Sequence, residues 1–126
     1  MKIVSMTPEE ICDRLLKLAV RLGKVVDALP DIRQGRHVAG QLIRSGTSPM
    51  PNYEEGCAAE NMDDFIHKLS ICLKELRESR GWVKYIVEAQ LLQKRKLAGV
   101  LDECEQMCAV IGKSLVTSKR NAGRMR

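Results

Sequence analysis

The chain has 126 residues, with 21 Lys and Arg against 16 Asp and Glu, five Cys and four aromatic residues. That is the length of one domain, enough to bury roughly two-thirds of the unfolded chain's surface. A hydrophobic content of 44% excludes a disordered chain, and 3% aromatic with 29% charged residues argues against an all-β sandwich or barrel and for helices.

Thr7-Pro8-Glu9-Glu10 predicts a helix start: Thr7 caps, Pro8 suits the first helical position and Glu10 closes a capping box. Ile11, Leu15, Leu18, Leu22, Val25 and Leu29 follow at spacings of four and three, one apolar stripe that Pro30 ends. A second segment begins near Asp31 and carries Val38, Leu42 and Ile43. It then meets Ser45-Gly46-Thr47-Ser48-Pro49-Met50-Pro51-Asn52, where propensity breaks a helix. The pattern resumes at Tyr53 and Cys57, so the expectation is a long kinked helix or two pieces around residues 46–51.

Asn61 predicts the next cap, with Asp63 and Asp64 favoured by the dipole of the first turn. The stripe Met62, Phe65, Leu69, Cys72, Leu76, Ser79, Val83, Ile86 gives a helix of about 27 residues ending near Ala89. Gly81 inside it either admits a close neighbour or is simply tolerated. After a short turn to Leu92, a last helix runs from about Gln93 to Thr117 on Leu97, Leu101, Cys104, Cys108, Ile111 and Leu115. Residues 118–126 hold four bases and no acid and read as a basic C-terminal tail. The expected fold is therefore all-α: an up-down-up-down antiparallel four-helix bundle over residues 1–117, with a kinked long second helix.

The net charge of +5 is not spread evenly. Residues 91–126 carry eight bases and three acids, while the rest of the chain is near balance. Lys94, Arg95, Lys96, Lys113, Lys119, Arg120, Arg124 and Arg126 are the candidate contacts for an acidic partner such as RNA; a plain solvated tail is the alternative. The aromatic residues Tyr53, Phe65, Trp82 and Tyr85 lie outside that stretch, so binding through it would be electrostatic and poor in base preference.

The five Cys (12, 57, 72, 104 and 108) form no CxxC and read as reduced, core-type thiols of a cytoplasmic protein. No apolar run approaches the ~20 residues of a membrane span, and no basic-then-apolar signal pattern precedes Thr7-Pro8. Asp64-x-x-His67 and Glu75-x-x-Glu78 imitate a dimetal helix pair once, on one helix, and lack the second His-bearing pair. There is no Gly-rich phosphate loop and no nucleophile beside a His in a recognised motif. The expectation is no metal, no cofactor and no enzymatic activity.

The stretch from Gln41 to Trp82 carries Arg44-Ser45-Gly46-Thr47-Ser48, Asn52, Glu54-Glu55, Asp64-Phe65-Ile66, Lys68-Leu69, Lys74-Glu75, Glu78 and Trp82. In this it resembles the bacterial four-helix-bundle proteins first noticed as reading frames inside 23S rRNA intervening sequences. Met50-Pro51 departs from the usual small residues, and Gly81 stands where the family tends to have an aromatic residue. The resemblance implies an up-down bundle whose second helix passes through the Ser-Gly-Thr-Ser element, and a ring-shaped homo-oligomer, usually a pentamer. A related group, the accessory proteins of diversity-generating retroelements, binds a reverse transcriptase and RNA. Two functions follow as expectations. One is a non-enzymatic oligomer that binds RNA or assists a reverse-transcriptase-like enzyme. The other is an adaptor that docks a partner protein, with Trp82 and Tyr85 as anchors unless Trp82 only packs between helices.

Arg44, Asn52, Glu55, Glu75 and Glu78 form a polar set beside the apolar stripes. Glu75 adjoins Leu76, and a carboxylate at a core margin needs a partner. The expectation is a network of Arg44, Asn52 and Glu75 that fixes the kinked second helix against the third.

Overall fold

The computed structural model describes residues 5–125. Among them the regular structure is entirely helical: α1 Pro8–Ala28, α2 Arg33–Thr47, α3 Pro49–Cys57, α4 Met62–Glu88 and α5 Lys94–Met125. Only Ser48 separates α2 from α3, and its own backbone is helical (φ −81°, ψ −36°). The two segments are halves of one kinked rod, so the described residues form four rods.

The predicted starts have their predicted caps. Thr7 Oγ1 accepts from the Glu10 amide and the Glu10 carboxylate accepts from the Thr7 amide, both at 3.1 Å. Asn61 Oδ1 accepts from the Asp64 amide at 2.9 Å. At the end of α4, Leu91 N–H reaches Ile86 O and Gln90 N–H reaches Val87 O, which closes the last turn with Gln90 in the left-handed region (φ 57°).

The kink is braced by side chains. Pro49 and Pro51 have no N–H to give to the carbonyls four residues back. Asn52 Nδ2 donates to both Ser48 O and Ser48 Oγ at 2.9 Å, and Thr47 Oγ1 donates to Ile43 O at 2.6 Å. Proline at the first position of α3 costs that segment nothing. The two prolines therefore end one helix and begin the next without turning the chain away.

The core is drawn from every rod. Leu15, Leu18 and Leu22 of α1 meet Val38 and Leu42 of α2, Tyr53 of α3, Leu69, Cys72, Leu76, Val83 and Ile86 of α4, and Leu97, Cys104, Met107 and Ile111 of α5. Each fully buried Leu or Ile contributes about 2 kcal/mol. α1 approaches α2 closely at Gly46, where an added Cβ would lie 2.9 Å from Leu22 Cδ1 and 3.2 Å from Leu22 Cβ. Gly81 is different: a Cβ there meets nothing within 4 Å, so it admits no close neighbour.

The last helix corrects the sequence reading. Expected to end at Thr117, it continues to Met125. The reason is a stripe that never stops: Ile111, Leu115, Ser118 and Ala122 follow at spacings of four, three and four, and Ser118 and Ala122 are buried. Their small side chains hid the continuation from a pattern search for large apolar residues.

Candidate functional site

The densest polar constellation is a seam between α2 and α4. Gln34, His37, Gln41 and Arg44 ascend one face of α2 at spacings of three, four and three; Glu75, Glu78, Trp82 and Tyr85 do the same on α4. They pair in opposite order. Tyr85 Oη donates to Gln34 Oε1 at 2.7 Å. His37 stands edge-on to Trp82, with centroids 5.8 Å apart, and Trp82 edge-on to Tyr85 at 5.9 Å. Trp82 Nε1 donates to Glu78 Oε2 at 3.1 Å. Arg44 closes the seam: Nη1 donates to Glu75 Oε2 at 3.0 Å, while Nη2 donates to Glu78 Oε2 and, at 3.3 Å, to Gln41 Oε1.

Burial grades across this seam. The Glu75 side chain is 11% exposed, Glu78 30% and Arg44 49%. Underneath, Ser79 Oγ donates to Ser45 Oγ at 2.9 Å with both residues fully buried, and Ser45 Oγ donates to Leu42 O at 3.5 Å. Among the described residues no buried side-chain nitrogen or oxygen lacks a partner. Both carboxylates are committed to Arg44, so the seam acts as a lock between α2 and α4.

The structure divides the predicted polar set. Arg44, Glu75 and Glu78 come together. Asn52 stands apart and serves the kink through Ser48. Glu55 is exposed and pairs with Lys68 at 3.6 Å. Gln34, His37, Ser45 and Ser79 were not singled out as a site from sequence, although the three-four-three spacing on both helices carries the signal for the first two.

The predicted basic residues are divided as well. Lys94, Arg95 and Lys96 form the first turn of α5, beside a cleft lined by Glu88, Gln90 and Leu91. Lys119, Arg120 and Arg124 lie on its last turns, and Lys113 between. Lys96 and Lys119 are therefore about 35 Å apart along one helix, two clusters rather than one patch. All seven are exposed, and none makes an ion pair among the described residues. Arg126 lies outside the described residues.

The thiols sit as core residues, with one exception. Cys72 and Cys104 are fully buried, and burial pushes both up to about 12. Burial also raises Cys12 and Cys108, and Cys57 is exposed. Among the described residues no group of three or more His, Cys, Asp or Glu is placed to hold a metal ion, and no helix is long and apolar enough to cross a membrane.

The model of the 23S rRNA-intervening sequence protein family matches residues 9–113, which include the whole seam and the braced kink. The chain belongs to that family. A solved structure agrees: a protein of unknown function from the S23 ribosomal protein family of Bacteroides thetaiotaomicron is 25% identical, with a TM-score of 0.78 over 83% of this chain and 97% of that one. A comparison with curated proteins finds no match. In this member of the 23S rRNA-intervening sequence protein family the basic end of α5, with Lys119, Arg120 and Arg124, lies beyond the matched residues.

Proposed function

We propose that the chain is a cytoplasmic, non-enzymatic homo-oligomer that binds RNA through its phosphates, on the scaffold of an up-down-up-down antiparallel bundle. The observation that carries this reading is the unpaired charge of α5. Seven exposed cations there have no carboxylate partner among the described residues. Cations of this kind exchange condensed counterions for phosphates, and affinity climbs steeply with their number. The antiparallel topology is supported by the reversed pairing order of α2 against α4 and of α1 against α5, where Arg14 meets Glu103 at 2.5 Å and Arg21 lies over Gly99.

Oligomerisation is supported by Leu16, Val20 and Ile43, which are 46%, 53% and 40% exposed on α1 and α2. Five copies, the number the family resemblance implies, raise the charge from +5 to about +25. Light scattering and a gel shift with RNA across a salt series test the reading. A complex of several chains whose RNA affinity falls steeply with salt is expected. Absence of binding at low salt, or binding indifferent to salt, overturns it.

A second reading rests on the outward ends of the seam, where exposed His37 and Tyr85 flank Trp82. Trp and Tyr are residue types that anchor protein interfaces. In this reading the chain is an adaptor for a partner protein, such as a reverse-transcriptase-like enzyme. Native pull-down in which Tyr85→Ala loses the partner supports it.

A further inference from the structure

Residues 61–90 carry five bases and five acids and show no net charge. Folding separates them. Glu75 and Glu78 turn toward α2 and are taken by Arg44. Arg77, Arg80 and Lys84 recur at spacings of three and four on the flank that faces α5.

Two neighbours on α5 fix their position. Lys84 pairs with Glu105 at 3.8 Å. Cys108, one turn further along α5, feels Arg80, Arg77 and Lys84, each of which favours its thiolate against the larger effect of burial. Moving back along α4 thus moves forward along α5. Extended by two turns, the same register sets Arg77 level with Gly112, the residue before Lys113. A Cβ at Gly112, or at Gly81 on the α4 side, would meet nothing within 4 Å, so the space beside these two glycines is open.

From this we infer that Arg77, Arg80 and Lys84 of α4, with Lys113 of α5, form a track for the phosphate backbone of RNA along the α4–α5 groove. The inference rests on the RNA-binding reading above and adds three residues of α4 to it. Arg77, Arg80 and Lys113 make no ion pair among the described residues, and Glu105 is the carboxylate paired within the track. The α4 cations are spaced by about 4.5 and 6 Å along the axis, a row that a strand can follow. Trp82 and Tyr85 point to the α2 side, so no aromatic ring offers a base platform here and the track reads phosphate alone.

The test uses the full chain and a fluorescent oligouridylate over a salt series. Arg77→Ala with Arg80→Ala should weaken binding about tenfold and lower the log–log salt slope by about 1.4, roughly 0.7 for each single-strand phosphate no longer neutralised. Lys24→Ala with Arg33→Ala removes the same charge from exposed positions elsewhere and should leave the slope unchanged. Arg77→Lys with Arg80→Lys should restore it. In wild type, bound oligouridylate should shield Lys84 and Lys113 from acetylation and leave Lys24 reactive, a readout that needs no variant. If wild type binds while the arginine pair changes neither affinity nor slope, or both alanine pairs lose equally, or Lys84 and Lys113 stay reactive, the track is wrong and the α5 reading stands. If wild type does not bind, both fall.

Discussion

Arg44 of α2 meets Glu75 of α4 at 3.0 Å, with the carboxylate nearly buried and the guanidinium half in solvent. Removing Glu75 leaves Arg44 to Glu78 and Gln41 and frees its Nη1 above the buried Ser45–Ser79 pair. Glu75→Ala should cost about 1–2 kcal/mol, at the low end for a breached ion pair because Arg44 is half exposed. Thermal unfolding should show a loss of several degrees. An unchanged melting curve would sink the lock.

Two glycines should respond with opposite signs. Gly46→Ala pushes a methyl against buried Leu22 and should destabilise by about 1–3 kcal/mol. Gly81→Ala adds a methyl into open space within α4 and should stabilise by about 0.5–1 kcal/mol. Urea titration of both variants checks the pair.

How much of this was legible follows from where the signals are local. The Thr7 and Asn61 caps, the stripe Ile11 to Leu22 and the stripe Leu69 to Ile86 are written in adjacent residues and could be read directly. The end of α5 could not, because Ser118 and Ala122 fill their buried positions without large apolar side chains. Asn52 and Glu75 both stand as polar residues beside the apolar stripes, but the Asn52 amide is used within its own turn, where it donates to Ser48. The seam partners Gln34 and His37 share the periodicity of Arg44, but only the register of α2 on α4 selects Tyr85 and Trp82 for them. Charge summed by window hid Arg77 and Arg80, because helix faces and not sequence windows decide which acids neutralise which bases.

The buried thiols give a pH dependence of definite sign. In the unfolded chain Cys72 and Cys104 ionise near 9; in the fold they hold their protons up to about 12. Their raised values contribute stability that is complete below pH 9 and is lost as pH climbs toward 12, because the unfolded state then binds fewer protons. The melting temperature should fall across that window and flatten for Cys72→Ala with Cys104→Ala. The same burial makes Cys57 the one thiol expected to react quickly with a thiol reagent in the native protein, the others reacting on unfolding.

The two clusters of α5 should act independently. At about 35 Å apart they share no partner, so their contributions to RNA affinity should multiply. Replacing Lys94, Arg95 and Lys96 by Ala, replacing Lys119, Arg120 and Arg124 by Ala, and combining the two sets would show this by fluorescence titration. A combined loss no greater than that of one set would mean that only one end meets RNA.

RNA phosphates are the proposed partners of the cations that find no carboxylate among the described residues of this bundle. Titrating the purified protein with labelled oligouridylate at increasing salt tests this most directly. Saturable binding at low salt is predicted, with a logarithmic affinity that falls linearly with the logarithm of salt and a slope of several units. A flat dependence on salt, or no binding at the lowest salt, would contradict it.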